Sequence, residues 1–542
     1  MSSAIFSKAM ADSSSDIISP LLQRDRIQKQ AEVKLDVESN GCDSSAVADN
    51  PYEFIGVEAF SLPPPSPIDP FRNQTPSIDG IYEWLKIVIC IPVALVRLVL
   101  FGLFLVVGFV ATKLALLGWN DKEQPLPKWR CGVMWVTRIC SRCILFCFGY
   151  HWIRRVGRPA PRETAPIVIS NHVSYIEPIF FFYDLFPTIV ASESHDAIPL
   201  VGTIIRAMQV IYVNRFSAPS RKHAIDEIKR KASSNSFPRV LLFPEGTTTS
   251  GRVLISFQLG GFIPGFPVQP VVVRYPHVHF DQSWGHIPLT KLIFRMFTQF
   301  HNFMEVEYLP VIAPLDDKID NAAHFAERTR YAIASKLNVA QTSHSYGDLI
   351  LLTKASQLKQ ENPSLYLVEM AWVKNVFNIS TSEAAEFLDK FLLMSPDSSG
   401  CVKLDGFLRI LRLGLSPLSE KIFHFIDVEN LGSITFRQFL LGSAHIMRQP
   451  LFRQACAVIF TGCDRERKGY ISKQQLGDAI RSAVPSLSDW DVSELFSIFD
   501  TDNDGTINFY DFNTCLRRNP LFVALFASYS THFGDCVMNG NG

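Results

Sequence analysis

At 542 residues the chain exceeds one ordinary domain, and two or three units are expected. Apolar residues make up 47% and charged residues 19%, a balance that suits a globular protein with membrane-embedded surface and excludes a mainly disordered one. The 52 basic side chains equal the 52 acidic ones, so no global positive field exists to draw in nucleic acid, and none is expected as a partner.

Eleven cysteines are scattered without the spacing of a disulfide framework, which places the soluble parts in a reducing cytosol. Cys140 and Cys143 form a CxxC in an apolar stretch around Arg142, where packing is the simpler reading and lipidation the alternative. Residues 1–80 are polar, with Ser13 to Ser15 and the run Pro63-Pro64-Pro65-Ser66-Pro67, and read as a disordered cytosolic tail. Within it, Leu21-Leu22 downstream of Asp16 has the look of an acidic dileucine signal with imperfect spacing.

Residues 81–150 read as membrane-associated helices. From Ile87 to Thr112 the only charge is Arg97, and Trp84, Lys86, Lys113 and Trp119 stand at the ends as interfacial anchors. Arg97 is costly at mid-depth, so a tilted, re-entrant or hairpin path competes with a simple span. Cys131 to Tyr150 carries Arg138 and Arg142 and reads as an interfacial amphipathic helix, with a soluble core helix as the alternative.

From 151 to 345 an α/β domain is expected. Short β-branched runs (Ile167–Ile169, Val210–Val213, Val240–Phe243, Val271–Val273) alternate with helical stretches such as Ser220 to Ala232, the pattern of a mainly parallel buried sheet. Thr290 to Met304 reads as an amphipathic helix with Ile293, Phe297, Phe300 and Met304 on one face, resting either on the membrane or on the sheet. A linker is expected over 346–374, an all-α domain over 375–530 and a tail over 531–542. In the all-α part Gly400, Gly432, Gly469 and Gly505 recur, each followed two residues later by an aliphatic: Val402, Ile434, Ile471 and Ile507.

The segment Asn171-His172-Val173-Ser174-Tyr175-Ile176-Glu177-Pro178 follows an apolar strand, where an α/β sheet places its site. On an ideal helix His172 and Glu177 would point about 140° apart, so they meet only across a turn. Glu177 precedes a proline, which disfavours the helical region at that position. A neutral imidazole can take the proton of a hydroxyl attacking a thioester, while a carboxylate holds its tautomer and stabilises the imidazolium. In isolation the pair reads equally as a buried histidine satisfied by a local carboxylate.

Three more blocks follow: Gly202 with Ile211-Tyr212-Val213-Asn214-Arg215, then Phe243-Pro244-Glu245-Gly246-Thr247-Thr248, then Val268-Gln269-Pro270-Val271. Four blocks in this order, over about 130–345, resemble the glycerolipid acyltransferase superfamily, with Glu177 in place of its usual aspartate. The HxxxxE variant resembles that of plant lysophosphatidylethanolamine and lysophosphatidylcholine acyltransferases. The resemblance implies an α/β acyltransferase domain with His172 as general base and Glu177 as its partner. It also implies acyl-CoA as co-substrate and a lysophospholipid as acceptor, with Asn171, Arg215, Glu245, Gly246 and Thr247 contacting substrate.

A buried ion pair between Glu245 and Arg215 is the competing structural reading. The competing functions are acylation of lysophosphatidic acid or glycerol 3-phosphate, and an inert, calcium-responsive membrane scaffold. The endoplasmic reticulum membrane is the location the resemblance implies, with Golgi or endosomal membranes as alternatives, membrane lipids as partners and the EF-hand domain in the cytosol.

The C-terminal loop Asp500-Thr501-Asp502-Asn503-Asp504-Gly505-Thr506-Ile507 has the EF-hand pattern, with Asp500, Asp502, Asp504, Thr506 and Asp511 as expected metal ligands. Aspartate rather than glutamate at the twelfth position weakens calcium or favours magnesium. The loops at Asp427, Asp464 and Ser395 lack ligands and are expected to keep the fold without an ion.

Overall fold

The β-branched runs form one seven-stranded sheet. The computed structural model describes residues 50–58, 61–119, 124–285, 287–315 and 321–532; the Ser13–Ser15 tract and the Leu21-Leu22 pair lie outside the described residues. The strands of the α/β part are β1 (Arg154–Val156), β2 (Ile167–Ser170), β3 (Thr188–Ser192), β4 (Ile211–Val213), β5 (Val240–Leu242), β6 (Val253–Leu254), β7 (Val268–Arg274), β8 (Glu305–Tyr308) and β9 (Ala340–Gln341). The sheet runs β1-β8-β7-β2-β5-β3-β4, and β6 pairs separately with β9. Every neighbouring pair in the large sheet is parallel except β7 and β8.

Central β2 is buried along its whole length because both faces are covered. Val168, Leu241, Val271 and Val273 point to one side, among Phe180, Phe181, Leu145 and Met296. Ile167, Ile169, Val240 and Val272 point to the other, against Ala224 and Ile228 of the Ala218–Ser233 helix and Phe325 and Ile333 of the Ala322–Leu337 helix. This alternation fixes the register of each strand and sets the C-terminal ends of β2, β4 and β5 along one edge.

The apolar N-terminal stretch is one helix, Ile81–Leu116, long and apolar enough to cross a bilayer, with Leu95, Val99, Leu103 and Val106 exposed. Arg97 does not face that exposed surface. It is buried, and its guanidinium donates to the carbonyls of Phe297 (2.9 Å), Gln299 and Phe300 (3.0 Å). Those carbonyls end the Leu289–Phe297 helix, which therefore stops short of the expected Met304. Leu292 and Met296 of that helix are fully buried against the sheet side of the core, while Phe300 and Phe303 beyond it are exposed.

The Lys128–Cys147 helix is not a lone interfacial helix: it packs along Ile81–Leu116 through small residues. Gly108 faces Thr137 and Cys140, and the Thr112 and Thr137 hydroxyls lie 3.0 Å apart. Cys140 is thus a packing residue. Arg138 and Arg142 donate to backbone carbonyls of Tyr183, Asp184, Tyr150 and His151, so their charges are held by protein.

Two expected boundaries change. Residues 50–80, expected as tail, are packed over their described part: Tyr52, Ile55 and Val57 are buried in the C-terminal helical core, and the Tyr52 hydroxyl donates to the Leu521 carbonyl. Phe71 is buried with Ile255 and Leu352. The expected linker is also structured, because a Tyr346–Gln357 helix puts Leu351 and Ala355 into the same helical core.

The rest of the C-terminal region is helical, with short two-stranded ladders joining its loops in pairs. Strands β10 (Cys401–Lys403) and β11 (Ser433–Thr435) set Val402 opposite Ile434; β12 (Tyr470–Ile471) and β13 (Ile507–Asn508) set Ile471 opposite Ile507. All four aliphatics are buried, which is why they follow the loop glycines.

Candidate active site

Three parallel strands deliver the predicted residues. Asn171 and His172 leave β2, Asn214 and Arg215 leave β4, and Phe243 to Thr247 leave β5, all at carboxyl ends. Residues 171–175 turn before the Ile176–Asp184 helix, and this turn brings His172 back over Glu177 in the first helical turn. The Nδ1 of His172 lies 3.2 Å from the Glu177 Oε2. The same carboxylate accepts from the amides of Val173 (3.1 Å) and Ser174 (3.0 Å), so it is fixed by its own loop. Glu177 is fully buried, whereas the His172 side chain keeps 18% exposure, and its Nε2 edge has no hydrogen-bond partner among the described residues.

Backbone bonds hold the loop, and one ring packs on the imidazole it carries. The ring of Phe243 stacks on it at 4.2 Å between centroids. Its backbone amide donates to the Glu245 Oε1 (2.8 Å), and its carbonyl accepts from the Thr249 amide (2.8 Å). The Trp284 amide closes the loop from above onto the Val173 carbonyl (2.9 Å), and the Ser250 amide donates to the Pro70 carbonyl (2.6 Å).

Two residues expected to contact substrate are turned inward instead. Asn171 is buried, and its amide group exchanges two bonds with the Val273 backbone (2.9 and 2.8 Å), tying the histidine loop to β7. Glu245 is fully buried beneath His172, and burial pushes its carboxyl up to about 8. Its Oε1 is engaged by the His172 amide rather than by Arg215, so the competing reading, a Glu245–Arg215 ion pair, is not what the structure shows.

Arg215 lies elsewhere in the cleft. Its guanidinium sits 4.5 Å from the Tyr346 ring centroid, and a side chain on Gly246 would come within 3.8 Å of it. It makes no ion pair among the described residues. Gly246 has φ +76°, which a glycine adopts without strain, and it turns the chain between the buried Glu245 and the partly exposed Thr247. The structure thus brings His172, Glu177, Arg215, Gly246 and Thr247 to one edge of the sheet. Phe243, Thr249 and Tyr346 are contributors that sequence reasoning missed; Phe243 and Thr249 flank the glutamate block, but nothing in the sequence links Tyr346 to Arg215.

In the C-terminal region the side-chain oxygens of Asp500, Asp502 and Asp504 lie within 4.8 Å of one another, a donor set that fits a hard divalent cation. Asp511 is buried, and one of its oxygens accepts from the Thr501 hydroxyl; the Thr506 amide and hydroxyl both donate to Asp504. The first aspartate of each aspartate-led loop ties its own turn, Asp500 accepting from the Asp504 (3.1 Å) and Gly505 (3.0 Å) amides. Asp427 accepts from the Leu431 and Gly432 amides, Asp464 from the Lys468 and Gly469 amides, and the Lys468 ammonium pairs with Glu466.

Comparison with known proteins places both halves of the chain. The acyltransferase family model matches residues 153–274, and the EF-hand domain pair model matches residues 453–516. The lysophospholipid acyltransferase LPEAT2 of Arabidopsis thaliana is 62% identical over 478 residues, covering 88% of this chain and 89% of that protein. Lysophosphatidylcholine acyltransferase 1 of Mus musculus is 30% identical over 82% of this chain and 84% of its own length. The lysophosphatidylcholine acyltransferase of Drosophila melanogaster is 31% identical over 82% of this chain and 85% of its own. With such identity across nearly the whole of both the plant protein and this one, the chain belongs to the same acyltransferase family.

Proposed function

We propose that the protein transfers an acyl chain from acyl-CoA to the free hydroxyl of a lysophospholipid, lysophosphatidylethanolamine or lysophosphatidylcholine, with His172 as general base. The observation that carries this reading is the His172–Glu177 pair, with Nδ1 engaged and Nε2 without a partner among the described residues. The carboxylate holds the tautomer that leaves Nε2 unprotonated. As the acceptor hydroxyl attacks the thioester carbonyl, Nε2 takes its proton and Glu177 stabilises the imidazolium. Collapse of the tetrahedral intermediate forms the ester and expels the CoA thiolate, which recovers the proton from His172. Arg215 supplies a planar cation for the acceptor phosphate, and Gly246 and Thr247 line its approach. Asn171 and Glu245 act by holding the histidine loop.

The Asp500 loop is proposed to bind calcium, with magnesium as a competitor, and to do so away from the chemistry. The Ile81–Leu116 helix is proposed to anchor the enzyme in the endoplasmic reticulum membrane, with the EF-hand region on the cytosolic side.

The test is transfer of a labelled acyl chain in membranes expressing the wild type or His172→Ala, against a panel of lysophosphatidylethanolamine, lysophosphatidylcholine, lysophosphatidic acid and glycerol 3-phosphate. The expected result is activity with the first two acceptors, abolished by the substitution. Equal activity in wild type and His172→Ala overturns the proposed chemistry, and preference for glycerol 3-phosphate overturns the proposed acceptor.

A further inference from the structure

We propose that Tyr346 is a positioning residue for Arg215, so that the C-terminal helical region completes the acceptor-binding side of the acyltransferase site. Tyr346 opens a helix whose far side belongs to another core. Leu351 and Ala355 of that helix are fully buried among residues of the EF-hand region, including Phe387 and Phe391. Its first turn is locked in place. Ser345 caps it, and the buried Asp348 accepts from the amides of Ser345 (2.8 Å), Val368 (3.1 Å), Glu369 (2.8 Å) and Met370 (2.9 Å). A side chain on Gly347 would come within 2.7 Å of the Thr381 hydroxyl and 3.1 Å of the Met370 Cβ, so the turn touches the next two helices directly.

On this fixed turn the Tyr346 ring faces the Arg215 guanidinium at 4.5 Å. The Tyr346 Cβ and the Arg215 Cζ each lie 3.8 Å from the place a Gly246 side chain would take, so ring, cation and glycine turn meet at one point. An arginine on a loop after a three-residue strand has many rotamers. A ring beneath it selects one, and the stacking leaves the guanidinium edge free for two hydrogen bonds to a phosphate. No carboxylate pairs with it among the described residues, so that edge is available to an anionic ligand.

The inference rests on the reading of Arg215 as the acceptor-phosphate ligand, and the experiment separates the two. Full-length Tyr346→Phe, Tyr346→Leu, Arg215→Ala and the Arg215→Ala/Tyr346→Leu double variant are assayed in membranes with lysophosphatidylethanolamine and acyl-CoA each varied. Tyr346→Leu is expected to raise the acceptor KM about 3-fold or more. Its acyl-CoA KM and kcat should stay near wild type, Tyr346→Phe should restore the acceptor KM, and in the Arg215→Ala background the leucine should add nothing. Tyr346→Gln replaces the leucine variant if that one fails to fold. An acceptor KM unchanged in Arg215→Ala removes the phosphate reading and this proposal together. If Arg215→Ala raises it but Tyr346→Leu does not, or phenylalanine is as poor as leucine, the Tyr346 proposal alone is overturned.

Discussion

Glu177 binds its own loop as well as the His172 ring: one carboxylate reaches Nδ1 at 3.2 Å and the Val173 and Ser174 amides at 3.0–3.1 Å. Those amides belong to the turn that carries the imidazole, so loop and base are positioned by a single group. The longer side chain is therefore not a defect of the dyad; the turn is built around it.

Glu177→Asp shortens the arm by one methylene and must give up either the ring or the amides. We expect kcat to fall about 10- to 100-fold, within the range that a positioned base contributes, with the acyl-CoA KM little changed. Steady-state kinetics on membranes decide it; an aspartate variant as active as wild type would mean that the amide contacts hold the loop unaided.

Glu245 gives a pH-dependent prediction. Burial raises its carboxyl to about 8, far above the ordinary value of 4.5, so the folded state favours its neutral form. That contribution to stability is complete below about 4.5 and is lost as pH rises through about 8. Glu245→Gln keeps an acceptor for the His172 amide and carries no charge. It should retain most activity at neutral pH and should flatten the fall in thermal stability between about pH 4.5 and 8. Glu245→Ala leaves that amide unpaired, at a cost of about 1–3 kcal/mol, and should lose activity at every pH. Identical stability profiles for wild type and the glutamine variant would count against a neutral Glu245.

The His172–Glu177 contact and the sheet are legible in the sequence because they rest on local signals. The four β-branched runs are β2, β4, β5 and β7, whereas the proline after Glu177 does not keep that residue out of the helix, which already starts at Ile176. What the sequence hid was held by long-range bonds to backbone. Arg97 reads only as a costly charge, since its partners are carbonyls 200 and more residues away. Residues 61–79 read as a tail because prolines and polar side chains give no periodicity. Yet the Pro63 and Pro70 carbonyls accept from Arg437 and Ser250, and the Asn73 amide donates to Asp281 and Ser283. Bonds of this kind leave no residue pattern to read. The burial of the Glu245 and Asn171 side chains is hidden for a similar reason: position in a motif does not tell which way a side chain points.

The Arg97 contacts predict a structural role inside the membrane-associated part. Arg97→Met leaves the buried Phe297 carbonyl at the end of the Leu289–Phe297 helix without its donor, a loss of roughly 1–3 kcal/mol. Thermal unfolding in detergent should show a Tm lower by a few degrees. Arg97→Lys should fall between, because one ammonium cannot span three carbonyls. If Arg97→Met melts with the wild type, those bonds do not hold the helix end.

The first aspartate of each aspartate-led loop is engaged alike, so the calcium prediction turns on the carboxylates around it. In all three aspartate-led loops the first aspartate accepts from loop amides, but only around Asp500 do two further carboxylates converge within 4.8 Å. Around Asp464 the Lys468 ammonium already pairs with Glu466, placing a fixed positive charge where an ion would need ligands. Titration calorimetry on the full-length protein should therefore find a single class of calcium site, with Kd of about 10⁻⁵ M or weaker because Asp511 is short and engaged by Thr501. Asp500→Ala should abolish the heat and Asp464→Ala should leave it intact. Binding that survives Asp500→Ala would move the site to another loop, whereas a silent titration in the wild type would leave the Asp500 loop as scaffold. Because this loop is paired with its neighbour through Ile507 and Ile471, calcium should also raise the Tm of the wild type and not that of Asp500→Ala.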